Sequence, residues 1–496
     1  MRIPVPTLLA ALVSLCLISC QSSSATDKEG EKTSPPNVLF IAIDDLNTWL
    51  GCMDGHPNAK TPNLDRLAAR GTLFTNAHCQ APICGPSRAS LMTGLRPSTT
   101  GIYGQINDQK IRQADSLLSD VVFLPQYFQQ AGYKTMGKGK LFHHFAPEGV
   151  FEERGGREGG FGPKPEKRFK YDPEWFGKPP GTQTDWGVYP AKDEDMIDYQ
   201  TAQWAIERLQ QEHDRPFFLA AGFIRPHVPF YAPQKWFDLY PLDSIQLPPY
   251  LLNDQGDIPE ISAQLHEILP MPTTEWAKEQ KEWKAMVKAY LACISFVDHY
   301  VGQVLNTLEA SPYADNTVVV VWSDHGYHLG EKNRFAKHSL WEEATRVPLI
   351  FAGPGIGAEA VCTRPVELLD LYPTLLDLCG LSPNPQNEGK SLSSLLKDPM
   401  AAWTKPAITT YGRNNHGIRT DQYRFIHFED GSEERYDHSQ DPNEWHNLTK
   451  KQGTEAAAYA AEEHLPSINK PWSPANSKGA NAYLEAQRQR DVQEEK

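Results

Sequence analysis

Two apolar runs, each closed by acidic residues, constrain this chain more than any other feature. Asn37-Val38-Leu39-Phe40-Ile41-Ala42-Ile43 runs into Asp44-Asp45, and Thr317-Val318-Val319-Val320-Val321-Trp322 runs into Ser323-Asp324-His325-Gly326. A strand with one wet face alternates apolar and polar residues. A run without alternation is a strand buried on both faces, the pattern of a parallel sheet covered by helices. Pro216 to Ala221 has the same texture, and Val347 to Phe351 follows the second run. Apolar residues at Trp283, Val287, Leu291, Ile294, Val297, Val301, Val304 and Leu308 recur every three or four positions, which predicts an amphipathic helix over 280–309. Further helices are expected from Pro62 to Arg70 and from Leu368 to Cys379, each closed by a glycine. A helix feeding a buried strand is α/β alternation, so the expected class is α/β with a mostly parallel sheet.

The 496 residues suffice for one large and one smaller domain, and a net charge of −14 argues against a nucleic-acid partner, which needs a basic face. The N-terminus reads as a targeting segment. Arg2 precedes an apolar stretch from Leu8 to Ile18, too short to span a bilayer, ending in Leu17-Ile18-Ser19-Cys20. That ending resembles a bacterial lipobox. It implies a lipoprotein signal over 1–20 with Cys20 acylated, export, and attachment to the cell envelope, at the outer membrane or periplasmic face, through lipid alone. Residues 21–36 read as a flexible tether, 37–398 as the main domain, and 399–496 as a C-terminal subdomain with a polar tail. In the last region Ile418 to Phe428 alternates like a strand, and a helix is expected from Glu455 to Glu463. Residues 145–190, rich in Gly, Pro, Lys and Glu, read as a long irregular insertion. Cys52, Cys79, Cys84, Cys293, Cys362 and Cys379 show no zinc spacing, and a Cys362–Cys379 disulfide is one pairing left open.

The chemistry centres on Cys84-Gly85-Pro86-Ser87-Arg88, continued by Ala89-Ser90-Leu91-Met92-Thr93-Gly94. The residues after Pro86 read as helical, which sets Cys84 at a helix N-terminus, where the dipole favours anions. Asp44, Asp45, Asp324 and His325 stand at the ends of predicted strands, where α/β sheets place their ligands. Three carboxylates and an imidazole suit a hard divalent cation such as Ca²⁺ or Mg²⁺. Gly139-Lys140-Leu141-Phe142-His143, Arg225-Pro226-His227-Val228-Pro229 and Phe335-Ala336-Lys337 add cations and imidazoles.

Together these motifs resemble the sulfatases that use formylglycine, over about residues 37–450. The Cys84 run matches their first signature, and Gly132-Tyr133-Lys134-Thr135 with the segment around Lys140 matches their second, apart from Lys138, which stands where a smaller residue is usual. The resemblance implies an alkaline-phosphatase-like fold: a central mixed, mostly parallel sheet sandwiched by helices, with a small C-terminal subdomain around an antiparallel sheet. It implies that a maturation enzyme converts Cys84 to formylglycine. One calcium ion would be held by Asp44, Asp45, Asp324, His325 and the modified Cys84. Arg88, Lys140 and Lys337 would act on charge around the nucleophile and sulfate, His143 as a base and His227 as the acid for the leaving oxygen. Asn107 is expected beside the pocket. His325, Phe142 before His143, the prolines flanking His227 and Phe335-Ala336-Lys337 resemble the iduronate-2-sulfatase branch, implying a sulfated glycan and 2-O-sulfate of a uronate, with other positions or algal glycans as alternatives. A phosphomonoesterase or phosphodiesterase would use Ser or Thr and two zinc sites. A non-catalytic glycan-binding lipoprotein would have lost Cys84, Lys140 or His227, and none is lost.

Overall fold

The structure is a computed structural model and describes residues 35–156, 160–170, 184–267, 271–450 and 461–494. The signal, most of the tether, part of the 145–190 insertion and most of the 455–463 helix lie outside the described residues. Residues from Pro35 onward cluster as one compact unit. Among the described residues no helix is long and apolar enough to cross a membrane.

The strands are β1 (Asn37–Ile43), β2 (Thr72–His78), β3 (Lys134–Gly139), β4 (Glu153–Gly156), β5 (Trp186–Val188), β6 (Phe217–Phe223), β7 (Phe230–Ala232), β8 (Thr317–Ser323), β9 (Arg346–Ala352), β10 (Ala360–Cys362) and β11 (Val366–Glu367). Four more follow near the C-terminus: β12 (Ala407–Thr410), β13 (His416–Arg419), β14 (Tyr423–His427) and β15 (Glu433–Asp437). The main sheet has nine strands in the order β10-β2-β9-β8-β1-β6-β3-β4, with β11 also on β2. β1 pairs in parallel with β6 and β8, and β3 with β6 and β4. β9 is antiparallel to both β8 and β2, while β10 and β11 run parallel to β2. Every strand of the sheet except β9 therefore points the same way.

The apolar runs are buried on both faces, as their lack of alternation predicts. Leu39, Ile41 and Ile43 of β1 join one core with the helices Trp283–Glu309, Ile197–Leu209 and Pro62–Ala69. Val38, Phe40 and Ala42 join the other, with Cys84–Thr93, Leu124–Gln130 and Leu371–Leu378. Alternate side chains of one strand thus hold two helical layers.

β12 to β15 form a separate antiparallel sheet in chain order. The stretch expected as one strand from Ile418 to Phe428 is instead two: β13 and β14 form a hairpin across Thr420 to Gln422, with Ile418 opposite Phe425. A short turn preserves alternation on both sides, so the pattern conceals it. The insertion at 145–190 is not wholly irregular, since it contributes β4 and β5. Cys362 and Cys379 are both free, each sulfur lying near a different backbone carbonyl, of Pro399 and of Pro36. Glu342 receives Arg419 and Arg424, a buried charge network that ties the segment before β9 to β13 and β14.

Candidate active site

The sheet delivers the site because its parallel strands end at one edge. Asp44-Asp45 follow β1, Lys140 follows β3, Ile224 to His227 follow β6 and Asp324-His325 follow β8. The chain leaves β2 at the same edge and reaches the helix Cys84–Thr93 six residues later. β9 runs the other way, so its start is also there, and the β8–β9 connection carrying Lys337 stays beside the strand ends. Gly139 has φ +84°, and a Cβ on it would lie 2.0 Å from the Gly222 carbonyl oxygen. Only glycine lets β3 turn there and present Lys140.

Cys84 occupies the first position of its helix, with 1% of its surface exposed. Its sulfur lies 3.2 Å from His325 Nε2, 3.2 Å from Lys337 Nζ and 3.4 Å from Lys140 Nζ. His143 also hydrogen-bonds it. Burial pushes the thiol up, but Lys140, Lys337 and His325 outweigh it and hold it well below the ordinary range. An anion, or an oxygen developing negative charge, is favoured at this position.

Arg88 is fully buried. Its Nε donates to Asp324 Oδ2 at 2.7 Å, while Nη2 reaches Asp44 Oδ1 at 3.4 Å and Nη1 donates to the Lys140 carbonyl. It therefore braces the carboxylates and the β3 end from behind, without touching the sulfur. Lys140 Nζ donates to Asp44 Oδ2, and Lys337 Nζ to Asp45 Oδ1 at 2.7 Å. Burial raises Asp44, but Lys140, His227 and Arg88 bring it far below the usual carboxylate range. Asp324 is pushed up to about 7, chiefly by burial.

Four acidic groups meet here, and the surroundings fit a divalent cation. One donor atom each from Asp44, Cys84, Asp324 and His325 lies within 4.8 Å of the others, and the same holds for Asp44, Asp45, Cys84 and His227. Asp45 Oδ2 is buried with no hydrogen-bond donor. Such an oxygen is costly unless a cation faces it. His325 Nδ1 is 3.0 Å from the Gly326 carbonyl oxygen, which can only accept, so Nδ1 carries a proton and Nε2 faces the cluster, where a bound cation would take its lone pair in place of a second proton. Asp45 itself adopts φ +60° and is anchored by its amide to Asp324 Oδ1 at 3.2 Å and by Tyr290 Oη to its carbonyl at 2.7 Å.

His227 faces the same cluster, with Nε2 3.9 Å from Asp45 Oδ2. Its Nδ1 donates to the Val228 carbonyl at 2.6 Å, which leaves Nε2 toward the site. Burial lowers its pKa against the pull of Asp45. His143 is lowered to about 4 by burial, so it is neutral near pH 7 and a base. Ten of the eleven residues singled out from the sequence thus converge on one edge of the sheet.

Asn107 does not line this pocket. It is exposed and caps a short helical turn, its Oδ1 accepting from Gln109 N at 3.1 Å. Two contributors went unseen in the sequence. Phe161 stacks on His227, centroids 4.4 Å apart at 14°, and lies 5.0 Å from Lys140 Nζ. Gln105 Oε1 accepts the Gly85 amide at 2.8 Å at the mouth of the Cys84 helix. Neither sits in a motif; one aromatic among several in a Gly- and Pro-rich insertion carries no periodic signal.

Comparison with known proteins matches residues 36–381 to the family model described as Sulfatase, and residues 330–470 to that described as N-sulphoglucosamine sulphohydrolase, C-terminal. The chain is 50% identical over 487 residues to a protein of Formosa agariphila named Sulfatase, covering 97% of this chain and 96% of that one. It is 31% identical over 412 residues to human iduronate 2-sulfatase, covering 74% and 73%. A solved structure described as being in complex with its substrate D-glucosamine-2-N,6-O-disulfate superposes with a TM-score of 0.67 at 23% identity, over 87% of this chain and 96% of that one. The fold is that of the alkaline-phosphatase-like sulfatases. A family match spanning the main sheet, and a relative half identical over nearly the full length, make the chain a member of the sulfatase family.

Proposed function

We propose that this sulfatase removes O-sulfate from a sulfated glycan, at the 2-position of a uronate, through a formylglycine made from Cys84. The observation that carries the reading is the setting of Cys84: a buried helix N-terminus with two lysines and a histidine within 3.4 Å of its sulfur. A sulfate monoester brings exposed anionic oxygens and a poor alkoxide leaving group. It needs an oxygen nucleophile, cations and an acid. The hydrated formyl group supplies the nucleophile at residue 84. Calcium, when bound by Asp44, Asp45, Asp324, His325 and residue 84, supplies positive charge to a sulfate oxygen.

The rest falls to the chain's own side chains. Lys140 and Lys337 sit on either side of residue 84 and hold sulfate oxygens. Arg88 keeps Asp44 and Asp324 in place. His227, with Nδ1 committed to Val228, holds the proton for the departing sugar oxygen on Nε2, and Phe161 fixes its ring plane. A bound sulfate favours the protonated imidazole there. Neutral His143 takes up a proton beside residue 84. The uronate reading is supported by the similarity to human iduronate 2-sulfatase and by the form of the motifs around His143, His227 and Lys337. We read the chain as exported and lipid-anchored through Cys20, with a catalytic region over 37–398 and a C-terminal subdomain over 399–496.

The test is sulfate release from 2-O-sulfated uronate disaccharides, 4- and 6-sulfated hexosamines, algal oligosaccharides and a non-glycan sulfate ester. The protein is co-expressed with a formylglycine-forming enzyme, and Cys84→Ala is the control. Release confined to 2-O-sulfates and absent in the control is expected. Release only from other positions sinks the uronate, and release by Cys84→Ala sinks the nucleophile.

A further inference from the structure

Three residues before Lys337, Arg334 is a buried guanidinium with an unbalanced charge. It is 7% exposed, and among the described residues no carboxylate pairs with it. Only Nη2 is hydrogen-bonded, to the carbonyl oxygens of Lys337 at 3.2 Å and His338 at 3.3 Å, and the guanidinium carbon lies 5.8 Å from the Trp341 ring centroid. Nε is buried without a partner. Three other buried arginines are matched by carboxylates, Arg88 by Asp44 and Asp324, Arg96 by Glu367, and Arg424 by Glu342 and Glu444; Arg225, which has no carboxylate within ion-pair distance among the described residues, instead spends Nε, Nη1 and Nη2 on the carbonyls of Tyr231, His227 and Phe161. Burial drags Arg334 down to about 10, so it remains charged at neutral pH. A buried cation is costly when unpaired and persists where something else repays it.

Arg334 lines a cleft of about 500 Å³ that includes Gln255, His266, Asn333, Ala336 and Trp341. The only other cation on its wall, Lys332, lies 3.5 Å from Asp254 and donates to the Glu444 carbonyl, so it is already balanced. His266 is held well below its ordinary range by burial and by Arg334 and Lys332, and stays neutral. Acidic groups, Glu260 and Glu267, are exposed residues of the lining. The cleft is thus polar, roomy enough for a sugar ring and its substituents, and has one unspent positive group. The loop that carries Lys337 to Cys84 Sγ also carries Arg334, three residues earlier, to the cleft.

We propose that this cleft is a second anion subsite, in which Arg334 receives the carboxylate or sulfate of a sugar unit adjacent to the one whose ester is cleaved. The inference rests on the glycan reading above and adds that the enzyme engages an oligosaccharide rather than a single sugar. Arg334 is then a binding residue, its Nη1 offering charged N–H donors to an oxyanion while Nη2 stays on the loop carbonyls.

Calorimetric titration of the full chain with Cys84 unconverted reads binding without turnover. The probes are sulfated, uronate-containing tetrasaccharides of the glycosaminoglycan and ulvan types, a uronate-free sulfated tetrasaccharide, and the monosaccharide carrying the matching sulfate. Arg334→Gln should weaken the tightest tetrasaccharide roughly 10- to 100-fold more than the monosaccharide, and Arg334→Lys should restore part of that difference. Parallel weakening of both probes, or no weakening, overturns the subsite. The wild-type protein gives a second readout that does not depend on a variant folding. Reducing the carboxyl groups should cost 10-fold or more if the anion is a carboxylate, and removing the neighbouring sulfate should do so if it is a sulfate; loss from neither overturns the proposal. Preference for the uronate-free probe sinks the uronate while leaving the Arg334 comparison to decide the subsite. A wild-type protein that binds no probe overturns both.

Discussion

Asp45 sits at φ +60°, gives Oδ1 to Lys337 and leaves Oδ2 buried without a donor. Aspartate is among the few residues that tolerate this left-handed backbone, and the conformation turns its carboxylate back toward Asp324 and His325. The unmet oxygen predicts that a cation binding here stabilises the folded chain. Calcium at a hundredfold excess over its Kd should add about 2.7 kcal/mol. Asp45→Ala should abolish that gain, which scanning calorimetry with and without calcium would read independently of activity. A midpoint insensitive to calcium in the wild type would remove the metal reading. At this scale the sequence was highly legible for Asp44, Asp45, Cys84, Lys140 and His227, because each stands in a motif or at the end of an apolar run. It was silent on Phe161 and Arg334. An aromatic in an irregular insertion and an arginine in a loop look the same whether they face solvent or a site; only burial and missing partners distinguish them.

Among the elements, β9, the one antiparallel strand described in the main sheet, keeps the long β8–β9 connection at the catalytic edge. The parallel strands bring their ends to that edge in register, and the last contact between β3 and β6 is close. A Cβ on Gly222 would lie 2.4 Å from the Lys140 carbonyl carbon. Gly222→Ala should therefore push Lys140 off the sulfur, costing about 1–3 kcal/mol of stability and lowering kcat more than KM. Urea unfolding and steady-state kinetics would check this, and unchanged kinetics would show that the β3 end yields freely. Periodicity predicted β1, β6, β8 and the helix over 283–309 closely, because both kinds of burial leave a run or a stripe. It merged β13 with β14, since Thr420, Asp421 and Gln422 turn the chain without Gly or Pro and without breaking alternation.

For the whole molecule, stability depends on histidines kept neutral in the interior. His416, buried in the C-terminal sheet, is lowered to about 3, and burial also holds His78, His266, His328 and His338 well below their ordinary value. A lowered histidine pKa means that the unfolded chain takes up a proton below pH about 6.5 that the folded chain refuses. Stability from these groups is full above that pH and falls as the pH drops toward the folded values, by roughly 1.4 kcal/mol per unit for each histidine. Urea midpoints should decline from pH 7 to pH 5. His416→Gln should reduce proton uptake on unfolding at pH 5 by about one, and an unchanged slope would show that His416 titrates alike in both states. None of this was visible in the sequence, where a histidine in β13 resembles any other.

The burial of Cys84 imposes an order of events on the life of the chain. A sulfur with 1% of its surface exposed, beneath the ends of five strands, is out of reach of any enzyme once the sheet has closed. An enzyme that altered residue 84 would have to act on a nascent or unfolded chain, and folding would then be its deadline. On the proposed chemistry, a host that folds this chain too quickly would accumulate a well-folded protein that can no longer be converted at residue 84.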